Sequence, residues 1–316
     1  MSFIGYDIGM TKIAIILNPT SGRGRGGKLR EVICKLMNSA ANASPHPIEW
    51  KILQTTARGD ATRLAKHASD EGANIVAAAG GDGTCGEVVN GIAGGRAAFG
   101  VIPVGTGNDF ARTIGVYGDL ETAIDNLFSN HARMVDLGKI GNRWFLNVAG
   151  CGFDAKVAER VNRGYRHLND SMAYVAGVLQ TLISFKSPHF ILTMDGSTYE
   201  SDGMLCTIAN ASSYGGGMRV APQAEIDDGV LDICFLKHAG RIEFLRAFPR
   251  VFKGEHVTHP KVRMFRAMRG RVETIPPMPI LVDGEVIGET PVDFEIVPHI
   301  LKVMTPEVTA KFDETD

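Results

Sequence analysis

The passage that most constrains the fold runs from Asn74 to Thr84, Asn-Ile-Val-Ala-Ala-Ala-Gly-Gly-Asp-Gly-Thr. Asn74 to Ala79 has no polar face, the pattern of a short strand covered on both sides of a parallel sheet. The run stops at Gly80, Gly81 and Gly83, which carry no Cβ and let backbone amides turn toward a ligand. Helical spacing resumes from Cys85 with Glu87, Val88, Val89 and Ile92. A strand, a glycine turn and a helix N-terminus together make an anion site, and phosphate is the anion such a turn suits.

Three readings compete for this turn. Gly81 to Gly86 satisfies the G-x-G-x-x-G spacing of dinucleotide-binding folds, but Asp82 fills the first variable position and would repel a pyrophosphate unless Mg²⁺ lay between. A tight turn of an ordinary α/β protein is the plainest reading. The third is a nucleoside-triphosphate site whose acid handles metal. It is favoured by a second loop of the same kind, Pro103-Val104-Gly105-Thr106-Gly107-Asn108-Asp109-Phe110-Ala111-Arg112, after the apolar strand Phe99 to Ile102.

GGDGT with Glu87 and Asn90 on the next helix, followed by GTGNDFAR, resembles the diacylglycerol kinase catalytic-domain superfamily, which includes soluble bacterial lipid kinases and sphingosine kinases. NAD kinases share GGDGT, and the second loop separates the lipid-kinase branch from them. The resemblance extends in ordered motifs from NPTSG, Asn18 to Gly22, to Asp283-Gly284-Glu285. It implies ATP and Mg²⁺, with ATP contacts from Asn18, Ser21, Gly22, Thr55, Gly80, Gly81, Asp82, Gly83, Thr84, Cys85, Gly86 and Thr106. It also implies a structural Mg²⁺ held by the Asp228 side chain and the carbonyls of Glu225 and Val230. Catalysis is implied for Asp82, Asp109, Asp283 and Glu285: Glu285 is the favoured proton acceptor, Asp283 is the other assignment, and Asp82 and Asp109 position Mg²⁺.

Composition narrows the setting. The 316 residues suffice for two domains, and 44% apolar against 22% charged residues is globular. A formal net charge of −2 gives no global attraction to nucleic acid or anionic lipid. Five scattered cysteines without a C-x-x-C indicate neither a disulfide framework nor a zinc site, so a reduced cytoplasmic setting is expected. Met1 to Met10 does not read as a signal peptide, and no run approaches the roughly 20 apolar residues of a membrane helix. A lipid substrate would then be met at a membrane surface that the enzyme visits transiently. No nucleic-acid partner is expected, and a homodimer stays open.

Along the chain, Lys12 to Leu17 reads as the first strand. Gly22 to Lys28 matches the start of a P-loop, but Leu29 stands where a Ser or Thr should hold Mg²⁺, so that assignment is rejected; a flexible basic loop is the plain reading, and the resemblance implies instead a phosphate-contacting loop whose Arg23, Arg25 and Lys28 face ATP phosphates or anionic headgroups. Leu29, Val32, Ile33, Leu36 and Met37 form one helical stripe, and Leu120, Ala123, Ile124, Leu127 and Phe128 another, capped by Asp119. Alternating strands and helices give a parallel α/β domain over residues 1–134, with 298–316 returning to it. Residues 135–297 read as an antiparallel β-sandwich domain for the lipid, with the ATP cleft between the two. That domain includes a strand from Arg143 to Ala149 and one helix, Met172 to Phe185, with Met172, Val175, Ala176, Leu179 and Ile183 as its core face.

Pro222-Gln223-Ala224-Glu225-Ile226-Asp227-Asp228-Gly229-Val230-Leu231-Asp232 crowds carboxylates around a glycine, which suits a hard cation or a plain Asp-Gly turn. The preceding Tyr214 to Gly217 reads as mobile. His256 and His259 have ligand-like spacing, but Pro260 and the lack of a third ligand favour a surface loop. Lys261, Arg263, Arg266, Arg269 and Arg271 read as a solvated sheet face, with contact to anionic lipid beside Arg246, Arg250 and Lys253 as the alternative. Arg166 is expected where the superfamily carries a functional lysine. An NAD kinase and a catalytically silent nucleotide- or lipid-binding regulator are the rival functions, and four acids near phosphate argue against the second.

Overall fold

The computed structural model describes residues 10–116, 119–129, 131–164 and 170–307. The chain divides into two compact units, Met1–Val135 with Leu301–Asp316, and Asp136–Ile300. Arg166 lies outside the described residues, as do the side chains of Met172 and Val175.

In the first unit the order is β1 (Thr11–Leu17), α1 (Ser21–Ala43), β2 (Ile48–Gln54), α2 (Asp60–Asp70), β3 (Ile75–Gly80), α3 (Asp82–Ile92), β4 (Ala98–Pro103), α4 (Asp109–Thr113) and α5 (Leu120–Phe128). The strands form a parallel sheet in the order β2-β1-β3-β4, with Val303 pairing Phe99 at the edge of β4. All six residues of β3 are buried, as its unbroken apolar run requires. Ile15, Ala77 and Ile102 pack with Ile33 and Met37 of α1 and with Ile124 and Leu127 of α5. The α1 stripe is narrower than its spacing suggests, because Val32 is 42% exposed. The loop expected at Gly22 is a left-handed turn, with φ of 58°, 61° and 83° at Gly22, Arg23 and Gly24, from which α1 continues. Asp119 caps α5 by accepting the Thr122 N–H at 2.8 Å.

Strand β5 (Ala132–Ile140) leads to the second unit: β6 (Arg143–Phe145), β7 (Val148–Gly152), α6 (Phe153–Gly164), α7 (Asp170–Ser184), β8 (His189–Met194), β9 (Ser197–Ala209), β10 (Leu231–Lys237), α8 (Arg241–Ala247), β11 (Val262–Ala267), β12 (Arg269–Ile275), β13 (Pro279–Val282), β14 (Glu285–Glu289) and β15 (Val292–Met304). Two antiparallel sheets share β9, whose first half pairs with β8 and whose second half pairs with β10 and β7. One sheet runs β14-β13-β7-β9-β10-β11; in the other, β8, β12, β15 and β5 follow β9. Phe145, Phe190, Phe235, Ile280 and Phe294 fill the core of this β-sandwich.

Three sequence expectations are corrected in this unit. It holds several helices rather than one, because α6 and α8 were not anticipated. The strand expected over Arg143 to Ala149 is broken between Phe145 and Val148, where Asp283 takes the backbone amides. On α7 the large apolar side chains that are buried, among those described, are Val178 and Leu182, whereas Leu179 and Ile183 are 46% and 66% exposed, one position off the expected core face. All five cysteines are free thiols.

Candidate active site

Three loops leave the C-terminal ends of β1, β3 and β4, the end at which open parallel sheets bind ligands. Side-chain hydrogen bonds tie the first two together. Asn18 donates from Nδ2 to Thr84 Oγ1 (3.1 Å) and accepts the backbone N–H and hydroxyl of Thr20 at Oδ1. The Ser21 and Thr84 hydroxyls are 3.5 Å apart.

Glycine is required where the loops touch. A Cβ on Gly22 would overlap the Val104 carbonyl, and one on Gly105 would overlap Gly81 Cα, so NPTSG, GGDGT and GTGND form a single packed group. Asn108 has φ 53°, and its amide folds back on Gly105, accepting the N–H at 3.1 Å and donating to the carbonyl at 3.0 Å. Gly81 is the N-cap of α3, with no side chain over the first turn, so the helix start presents backbone amides and the positive end of the helix dipole.

Two carboxylates lie within this group. Asp82 opens α3 and accepts the Phe110 N–H at 3.1 Å. A Cβ built on Gly107 would lie 2.7 Å from Asp82 Oδ2 and 3.4 Å from Asp109 Oδ2, so both acids face the same glycine. Burial, and after it the charge of Asp109, raises the Asp82 carboxyl above its ordinary range. Asp109 is 2% exposed and pairs with Arg112 at 2.9 Å. Acids crowded in this way are relieved by a cation, and Mg²⁺ is commonly held by one or two carboxylates plus substrate phosphates, so the donors here fit it.

Other residues expected to contact ATP have varied surroundings. Thr106 and Gly83 are exposed, and Gly80 is packed against the Thr84 side chain. Thr55, at the end of β2, is buried, and its N–H donates to Leu17 O at 2.9 Å. Cys85 and Gly86 are buried in α3, where the Cys85 N–H bonds Gly81 O. Glu87 accepts the N–H groups of Gly59 (2.9 Å) and Ala61 (3.1 Å), and so caps α2.

In the second unit the acids of Asp-Gly-Glu do different work. Asp283, in a turn at φ 43°, accepts the N–H groups of Leu146 (2.8 Å), Asn147 (3.0 Å) and Val148 (3.1 Å). Glu285 begins β14 and pairs with Arg143 at 2.7 Å.

The segment expected to bind a structural Mg²⁺ is differently engaged. Asp228 pairs with the Arg266 guanidinium, which also approaches Asp232 at 3.8 Å, and Asp228 Oδ1 accepts the Val230 N–H at 3.2 Å. Glu225 is exposed. Among the described residues no group of three or more His, Cys, Asp or Glu side chains could hold a metal ion. Arg266 and the Val230 N–H each take one oxygen of the Asp228 carboxylate. Buried Asp136 organises the segment instead, accepting the N–H groups of Gly229 (2.7 Å) and His299 (2.7 Å).

Several features escaped the sequence reading. The glycines after Tyr214 form a closed turn, with reciprocal backbone bonds between Tyr214 and Met218 of 3.1 and 3.0 Å. His256 is buried, not on a surface loop, and its Nε2 faces Val220 O at 3.0 Å. Asp154 is buried at the start of α6. The basic strand face is largely neutralised: Lys261 pairs with Glu243, Arg266 with Asp228, and Arg271 with Glu273 and Asp293.

Comparison with known proteins places these features in a family. The model of the diacylglycerol kinase catalytic domain matches residues 12–140, and that of the YegS C-terminal NAD kinase beta sandwich-like domain matches residues 147–305. A diacylglycerol kinase of Bacillus subtilis (strain 168) is 34% identical over 310 residues, covering 96% of this chain and 100% of the relative. One of Staphylococcus haemolyticus (strain JCSC1435) is 31% identical over 296 residues, covering 93% and 88%. The crystal structure of a diacylglycerol kinase from Bacillus anthracis str. Sterne shares the fold, with a TM-score of 0.72 at 24% identity over 95% of this chain and 98% of that one. With the catalytic domain, the C-terminal domain and near full-length similarity in agreement, the chain belongs to the diacylglycerol kinase family and is a kinase.

Proposed function

We propose that the chain transfers the γ-phosphoryl group of ATP to a lipid hydroxyl, with diacylglycerol or a similar lipid alcohol as acceptor, at the cytoplasmic surface of a membrane. The observation that carries this reading is the packed group of three glycine loops with two carboxylates, in a chain of this family. Amides at the start of α3, with Asn18, Ser21 and Thr84 around them, are suited to grip the phosphates. Asp82 and Asp109 would hold Mg²⁺, which supplies charge neutralisation on the phosphate oxygens when bound.

The acceptor oxygen forms a bond to the γ-phosphorus as the bond to the β–γ bridging oxygen breaks and ADP departs. We assign the released hydroxyl proton to Glu285. Asp283 uses its two oxygens to accept three backbone N–H groups, which makes it the residue that positions the turn. Arg143 orients Glu285 through their ion pair.

The test is γ-labelled ATP with Mg²⁺, incubated with lipids fractionated by headgroup and, in a parallel tube, with NAD. Label entering a diacylglycerol fraction is expected. Label appearing only in NADP would establish the rival kinase, and ATP binding without transfer to any lipid would establish a regulator.

A further inference from the structure

The two acids of the phosphate group each turn one oxygen to the same place, and the short helix α4 decides which oxygen that is. Asp82 accepts the Phe110 N–H at Oδ1 (3.1 Å), and Asp109 accepts the Arg112 guanidinium at Oδ1 (2.9 Å). The other oxygens lie toward Gly107, where a Cβ would come within 2.7 Å of Asp82 Oδ2 and 3.4 Å of Asp109 Oδ2. In both carboxylates, then, α4 engages Oδ1 and Oδ2 faces the shared glycine.

The surroundings of α4 hold that selection in place. Phe110 is fully buried and meets Phe99 of β4 at 6.0 Å between ring centroids, and Ala111 is buried beside it, so the helix is anchored between Asp109 and Arg112. The Thr113 hydroxyl donates to the Asp109 carbonyl at 3.1 Å, and the Arg112 N–H donates to Asn108 O at 3.2 Å.

Arg112 uses both arms of its guanidinium. Nη1 donates to Asp109 Oδ1 and Nη2 to the Gly107 carbonyl. A planar fork can span a carboxylate and a carbonyl at once, whereas a lysine ammonium is a point charge. An acid and an arginine three positions apart on a helix are ordinarily a solvated pair of little consequence. Here the Asp109 side chain is 3% exposed, so the guanidinium acts on a buried carboxylate. It withholds two hard oxygens, Asp109 Oδ1 and Gly107 O, from any cation held by the acids.

That matters for which cation the acids take. Mg²⁺ is small and demands near-ideal octahedral geometry with few protein ligands, whereas Ca²⁺ takes more oxygens and accepts a carboxylate through both of its own. We infer that Arg112 is a positioning residue that makes the Asp82–Asp109 pair select Mg²⁺ over Ca²⁺. The inference rests on the lipid-kinase reading for the role of the two acids as metal ligands. The fork, the two acids and Gly107 all belong to the first unit.

Mn²⁺ is the probe that tests it. Binding to the full chain in the presence of ADP removes the free-ion electron paramagnetic resonance signal, and titration with Mg²⁺ or Ca²⁺ restores it. Removing a residue that orients a metal ligand costs about 10–100-fold in affinity, and Arg112→Gln also frees two oxygens that suit Ca²⁺, so the parent's preference for Mg²⁺ over Ca²⁺ should fall about tenfold or more. Arg112→Lys keeps the charge without the fork and should lose part of the preference; it takes the place of Arg112→Gln should that variant fail to fold by circular dichroism. A role confined to holding the loop would weaken both cations alike. An unchanged ratio in the folded variant, or a parent that binds no Mn²⁺ with ADP, overturns the inference. A shifted ratio in a chain that phosphorylates no lipid upholds the role of Arg112 and refutes the kinase reading instead.

Discussion

Replacing Asp154 by asparagine should change how stability depends on pH. The Asp154 carboxyl is buried, accepts the Ala155 N–H at 2.8 Å, and has Tyr214 at 3.5 Å as its other partner. Burial outweighs these hydrogen bonds and pushes its pKa from 3.8 to about 6. The unfolded chain therefore releases this proton near 3.8, while the folded chain keeps it until about 6. Stability from this group is complete below the lower value and is lost as pH rises through the upper one. A shift of about two units at about 1.4 kcal/mol each gives about 3 kcal/mol, an order-of-magnitude figure. Asparagine cannot ionise, so its stability minus that of the parent should rise by up to about 3 kcal/mol between pH 4 and 7. Urea unfolding of both proteins across that range measures the difference and cancels the other titrating groups. A difference that stays flat, or falls with rising pH, would refute the reasoning.

Gly105→Ala places a methyl group against the Gly81 backbone; it should cost about 1–3 kcal/mol of stability and weaken ATP binding about tenfold by calorimetry, and undiminished ATP affinity would separate the two loops functionally. Glu87→Ala removes the acceptor at the start of α2 and should cost about 1 kcal/mol in thermal unfolding without moving the KM for ATP, a shift in which would give Glu87 a direct role. Burial raises the thiols of Cys151, Cys206 and Cys234, and Cys85 is also buried, so iodoacetamide should label native protein at Cys34 alone; rapid labelling of any other would contradict the packing.

The first unit was legible because its signals are local. Ile75 to Gly80 is apolar throughout and the glycines follow at once, so strand, turn and helix start can be read from adjacent letters. The second unit resisted where partners are distant. Nothing near Asn147 in sequence shows that Asp283 will take its amide and break the strand, since the two are 136 positions apart. Strand β9 changes sheets midway, so only its buried second half, from Met204, carried a clear pattern. On α7 the apolar residues surround enough of the helix that spacing alone chose Leu179 and Ile183, where packing buries Val178 and Leu182. The pairing of Asp228 with Arg266 has no signal in the sequence, because an arginine on another strand leaves no mark beside it.

The most direct measurement sets the turnover of Glu285→Gln beside its dissociation constant for ATP. Glutamine keeps the size of the side chain and its hydrogen bond to Arg143 but accepts no proton, so turnover should fall by about 10²–10⁴ while ATP affinity stays within about threefold of the parent. Near-normal turnover, or a loss of ATP binding as large as the loss of rate, would contradict the assignment of Glu285 as proton acceptor.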